Sequence, residues 1–83
     1  MNGNMLIEQK TQANAVGGTL TFNDGIEYVS IYNRDTVNDG VFNVNGVNIT
    51  VPKGEVVEFQ VVEPGRKTVT VTGSTLYIVS RMV

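Results

Sequence analysis

The sequence predicts an all-β domain: a small antiparallel β-sandwich or partly open barrel of about six to seven strands, built from hairpins. Three observations carry that expectation. Valine occurs fifteen times and threonine nine times in 83 residues, a β-branched excess that favours strands over helices. No window sustains the i, i+3, i+4 apolar spacing of a helix. Short alternating apolar–polar runs are separated by clusters of Asn, Asp, Gly and Pro, the residues that turns require.

The first seventeen residues stand apart from this alternation. "MNGNMLIEQKTQANAVG" has two Asn and a Gly in its first four positions, then an apolar patch at Met5, Leu6 and Ile7. Residues 1–17 are therefore expected to be an N-terminal arm on a partner, an extra edge strand, or a disordered start. Fully extended they reach roughly 55–60 Å, ample to cross onto a neighbour. Residues 18–83 form the expected sandwich.

Within it, "GTLTF" (Gly18 to Phe22) and "IEYVSIYN" (Ile26 to Asn33) read as strands across the turn Asn23-Asp24-Gly25. The second is apolar on both faces, with Ile26, Tyr28 and Tyr32 on one and Val29 and Ile31 on the other. Such a strand belongs at the centre of a sheet or under a neighbouring subunit. Arg34 to Gly40 is a polar loop.

The clearest element is "FNVNGVNITV". A two-residue type I′ turn at Asn45-Gly46 pairs Val44 with Val47, Asn43 with Asn48 and Phe42 with Ile49. One face is then wholly apolar: Phe42, Val44, Val47, Ile49 and Val51. Pro52-Lys53-Gly54 reverses the chain, and Val57, Phe59 and Val61 face inward on the next strand. Pro64-Gly65 is a type II turn signal. Gly73-Ser74 fits a type II′ hairpin, pairing Val71 with Leu76 and Val69 with Ile78. In that register Thr68, Thr70, Thr72, Thr75 and Tyr77 share the outer face. The expected core is Phe42, Val44, Ile49, Val57, Phe59, Val69, Val71, Leu76 and Ile78.

Composition narrows the function. The chain has no cysteine and no histidine, so disulfides, Ser-His or Cys-His nucleophiles and the usual transition-metal ligands are out of reach. Lys10, Arg34, Lys53, Arg66, Lys67 and Arg81 are scattered, and the net charge is −2. No concentrated basic face exists for a phosphate backbone, so no nucleic-acid binding is expected. No run approaches the ~20 apolar residues of a membrane helix, and no leader pattern opens the sequence. The chain is expected to be soluble, made in a cytoplasm, and free of membrane partners. A domain this small buries only roughly 60% of its unfolded surface, and oligomerisation is one common source of extra burial.

The remaining candidates for chemistry have simpler readings. Asp24, Asp35 and Asp39 offer oxygen ligands, but their spacing lacks the order of a calcium loop, and Asn-Asp-Gly is an ordinary turn former. Glu55, Glu58 and Glu63 lie on or beside one strand, where nothing supplies the cleft a carboxylate pair needs. Tyr28, Tyr32 and Tyr77 could stack on sugars, but tyrosine on a sheet is more often core rim or oligomer interface. The outer threonines read as a solvated surface rather than an ice-binding array. No enzyme activity, metal or cofactor is expected.

The run "YVSIYN…VFNVNGVNITVPKGEVVEFQV…KTVTVTGSTLYIVSR", read with its gaps over residues 26–81, resembles small virion proteins of tailed bacteriophages. Those are capsid decoration (cement) proteins and the β-rich domains of head fibres. The matching positions are Asn45, Gly46, Val51, Pro52 and Gly54, then Val69, Val71 and Gly73. The resemblance implies a non-enzymatic protein on the surface of an icosahedral capsid, bound to the major capsid protein and often oligomeric, here expected as a trimer. It transfers no functional residue. The exposed apolar candidates for partner contact are Met5, Leu6, Ile7, Tyr28 and Tyr32. The competing expectation is a small adhesin or carbohydrate-binding module of a phage fibre or bacterial surface protein.

Overall fold

The Asn45-Gly46 hairpin forms in the expected register. Asn45 and Gly46 take φ of 55° and 82°, the left-handed pair that a type I′ turn demands. They join β4 (Gly40–Val44) to β5 (Val47–Val51), with Val44 opposite Val47, Asn43 opposite Asn48 and Phe42 opposite Ile49. The Asn43 amide donates to Asn48 Oδ1 at 2.8 Å on the outer face.

The computed structural model describes residues 5–61 and 65–83. Around the hairpin it places β1 (Leu6–Thr11), β2 (Thr19–Thr21), β3 (Tyr28–Asn33), β6 (Val56–Gln60), β7 (Thr68–Thr72) and β8 (Tyr77–Met82). These eight strands make two antiparallel four-stranded sheets, ordered β1-β8-β3-β6 and β2-β7-β4-β5. They pack as a sandwich. Leu6–Thr11 is an edge strand along β8, and a 3₁₀ turn at Gln12–Asn14 carries the chain on to β2. The Pro64 turn lies outside the described residues, as does Glu63.

The chain changes sheets at nearly every connection. Only β4 and β5 are consecutive neighbours. The Gly73-Ser74 hairpin expected from the sequence is therefore not formed: β7 pairs with β2 and β4, while β8 pairs with β1 and β3. Gly73 is still needed, since its φ is 90° and a Cβ there would lie 2.8 Å from the Asp39 carbonyl oxygen. It turns the chain across the sandwich instead of back along the sheet.

This crossover inverts the expected face of β8. Tyr77 and Val79 point into the core, whereas Leu76 and Ile78 are half-buried. The core gathers Leu20, Phe22, Val29, Ile31, Phe42, Val44, Val51, Val69, Val71 and Val79 around Tyr77, whose ring meets Phe42 edge-on at 5.6 Å. Ile26, assigned by alternation to the Tyr28 face, is buried just before β3. Ile49, Val57 and Phe59 pack against the core from a half-buried rim.

The β3–β4, β5–β6 and β7–β8 crossovers meet at one end of the sandwich. A polar knot ties them together. Fully buried Asn33 donates from Nδ2 to the carbonyls of Asn38 and Val51 and accepts at Oδ1 from the Asp35 amide and Ser74 Oγ. That uses all of its usual hydrogen-bonding capacity. Asp35, also buried, accepts from the amides of Val37, Asn38 and Thr75 and from Thr75 Oγ1. The backbone donors of Thr75, Val37 and Asn38 hold its carboxyl well below the usual carboxylate range.

Candidate functional site

Four acidic side chains are occupied by the fold. Asp35 is consumed by the knot, and Asp39 accepts from the Lys53 amide at 3.0 Å. Asp24 accepts from the following Gly25 amide at 2.8 Å, the turn role expected of it. Burial pushes the Glu8 carboxyl up, but the Asn23 amide, Arg81 and Lys10 outweigh it, so the net shift is downward. No group of three or more Asp or Glu side chains gathers among the described residues in a way that would hold a metal ion. Two surfaces remain as candidates for binding.

The first surface is the outer face of the β1-β8-β3-β6 sheet. Pairing places Tyr28 opposite Met82, which in turn lies opposite Leu6. One end of the same face sets Tyr32 between Ile78 and Val56. Tyr32 is 40% exposed, Val56 52% and Leu6 56%. Between these apolar ends run Gln9, Ser80, Ser30 and Glu58, with Gln9 Nε2 donating to Ser80 Oγ at 3.0 Å.

Of the five residues singled out by sequence, Leu6, Tyr28 and Tyr32 thus share one face. Ile7 is the extra residue of a bulge between Leu6 and Glu8, and Met5 pairs with Val83 at the end of the sheet. Sequence reasoning missed Val56, Ile78 and Met82. Inverting the β8 face hides the last two, because the sequence is apolar at Leu76, Tyr77, Ile78 and Val79 alike.

The second surface is a groove of about 330 Å³ on the side of the sandwich where β5 and β6 form the two sheet edges. It is lined by Val44, Val47, Ile49, Phe59 and Val61, with Asn45 and Gln60 at its mouth. Both strands were expected to turn these residues inward. Ile49, Phe59 and Val61 do so, whereas Val47 stays 60% exposed, and among the described residues no side chain fills the gap between the sheets there.

No family model matches the chain, and no curated protein or solved structure matches it significantly.

Proposed function

We propose that this chain is a non-enzymatic structural protein that decorates and stabilises a bacteriophage capsid by binding the major capsid protein. The observation that carries the binding half is the outer face on which Leu6, Tyr28, Tyr32, Val56, Ile78 and Met82 gather. The capsid half rests on the resemblance of residues 26–81. Tyrosines held on a hydrogen-bonded sheet supply large contact area at low entropic cost. Because a capsid repeats its sites, a modest contact is multiplied if the decorating protein is itself oligomeric, as in the trimer expected above.

Tyr28 and Tyr32 favour the adhesin reading only in part. They lie four residues apart on β3, roughly 13 Å along the strand, with Ser30 between them. That separation makes two isolated rings rather than one continuous stacking platform.

The test is co-sedimentation with undecorated heads assembled from a major capsid protein encoded beside this chain. Deleting residues 1–17 is the wrong variant, because it removes β1 and its pairing with β8. Tyr32→Asp leaves the strand in place and sets a charge on the apolar end of the face. Binding by the intact chain with at least tenfold weakening in Tyr32→Asp is expected. Failure of the intact chain to sediment with the heads overturns the capsid reading. Undiminished binding by Tyr32→Asp removes this face from it.

A further inference from the structure

We infer that the β5–β6 side is a second binding site, independent of the reading above, that takes an extended peptide as an added strand on β6, apolar side chains inward and a basic one opposite Glu58.

The free edge of β6 has a readable phase. The Val61 amide donates to the Glu27 carbonyl at 2.8 Å and the Asn33 amide to the Glu55 carbonyl at 3.0 Å. Antiparallel pairs alternate between bonded and non-bonded. Val57 and Phe59 therefore turn their backbone groups toward β3, whereas Val56, Glu58 and Gln60 present theirs to the open edge. No strand among the described residues pairs with that edge. A strand laid there receives up to three residues' worth of main-chain bonds. Its inward side chains extend the row of Val57, Phe59 and Val61 over the gap above Val47 and Ile49.

Charge selects the occupant. On the outer side of β6 the only charged residue is Glu58; its partner on β3 is Ser30, and it forms no ion pair among the described residues. Glu55, just before the strand, is exposed as well. A second copy fits poorly through either edge of its β1-β8-β3-β6 sheet. The register that pairs all five residues of β6 with their symmetry mates sets Glu58 against Glu58, a like-charge cross-strand pair. The β1 edge of a second copy is no better, since the Ile7 bulge and the inward-facing Glu8 and Lys10 obstruct pairing. A foreign strand with Lys or Arg opposite Glu58 meets neither obstacle.

The experiment uses the full chain and two synthetic peptides, acetyl-Thr-Val-Lys-Val-Thr-amide and the same sequence with Glu for Lys. Amide hydrogen exchange is followed by NMR. The Lys peptide should slow exchange at Val56, Glu58 and Gln60 and bind roughly three- to tenfold more tightly than the Glu peptide, the range a cross-strand charge pair provides. Glu58→Lys, an exposed substitution, should reverse that preference. Methylating the backbone nitrogen of the peptide's lysine, the amide that faces the β6 edge opposite Glu58, should abolish binding. The inference is overturned if no amide of β6 gains protection. It is equally overturned if both peptides bind alike and Glu58→Lys changes nothing. Protection that grows with protein concentration alone would assign the edge to a second copy. Binding of a small apolar dye that perturbs Phe59 while the peptides do not bind would assign the groove to small molecules.

Discussion

One long side of this sandwich is closed and the other is open. On the β1–β2 side, Glu8 reaches from one sheet to the Asn23 amide at the end of the other, at 2.9 and 3.2 Å. Arg81 grips the same carboxylate at 3.2 Å, and Lys10 stands at 3.6 Å. The edge is further guarded by the Ile7 bulge, and β2 is only three residues long. On the β5–β6 side no ion pair spans the gap among the described residues. There the edges are five-residue strands, and neither contains a lysine or a proline. Natural sheets blunt their edges against unwanted pairing. This chain blunts one side and leaves the other without those devices, the contrast behind the inferred peptide site.

The largest effect that would sharpen this contrast is expected on the closed side. Glu8→Ala removes the acceptor for Asn23 and strands Arg81, whose side chain is only 11% exposed. Hydrogen bonds to charged groups are worth roughly 1.5–3 kcal/mol, and chemical denaturation should show a loss in that range. A loss under about 0.5 kcal/mol would mean that the side is closed by backbone pairing alone.

A smaller loss is expected on the open side. A fully buried phenylalanine costs roughly 3–5 kcal/mol when cut to alanine. Phe59 is half-buried at the groove, so Phe59→Ala should cost only about 1–2 kcal/mol. A full-sized loss would show that the groove closes in solution.

The smallest effect lies in the acid limb of stability. Glu8 and Asp35 both have carboxyls lowered in the folded state, from ordinary values of 4.5 and 3.8. Their stabilisation is complete above those values and is lost as pH falls through the folded ones. Glu8→Gln should flatten the fall in melting temperature below about pH 4.5 without abolishing it, because Asp35 still titrates. An unchanged acid limb would exclude Glu8 from it.

Local chemistry made the strands legible, and one hairpin entirely so. At Asn45-Gly46 the turn type and the alternation on both flanks agree, and no other register satisfies them. At Gly73-Ser74 the same kind of signal misleads. A positive-φ glycine serves a hairpin and a sheet-to-sheet crossover equally well. The flanking "TLYIVS" is apolar in both phases, so alternation does not choose between them. What decides is Asn33, forty-one residues upstream, bonding to Ser74. In the sequence Asn33 is only the last residue of "IEYVSIYN", and nothing beside it points to Ser74. The tyrosines of β3 were visible as surface candidates, but the company they keep from β6 and β8 depends on strand order.

Met5 and Val83 exchange both backbone hydrogen bonds, at 3.1 and 3.0 Å. With β1 and β8 antiparallel, the two ends of the described chain leave the sandwich side by side. A pull applied through them would not shear the sheet, in which every β1–β8 bond shares the load. It would open the pair like a zipper, one rung at a time, starting from Met5. Held by these ends, the β1–β8 pair yields more readily than it would under a pull along the strands.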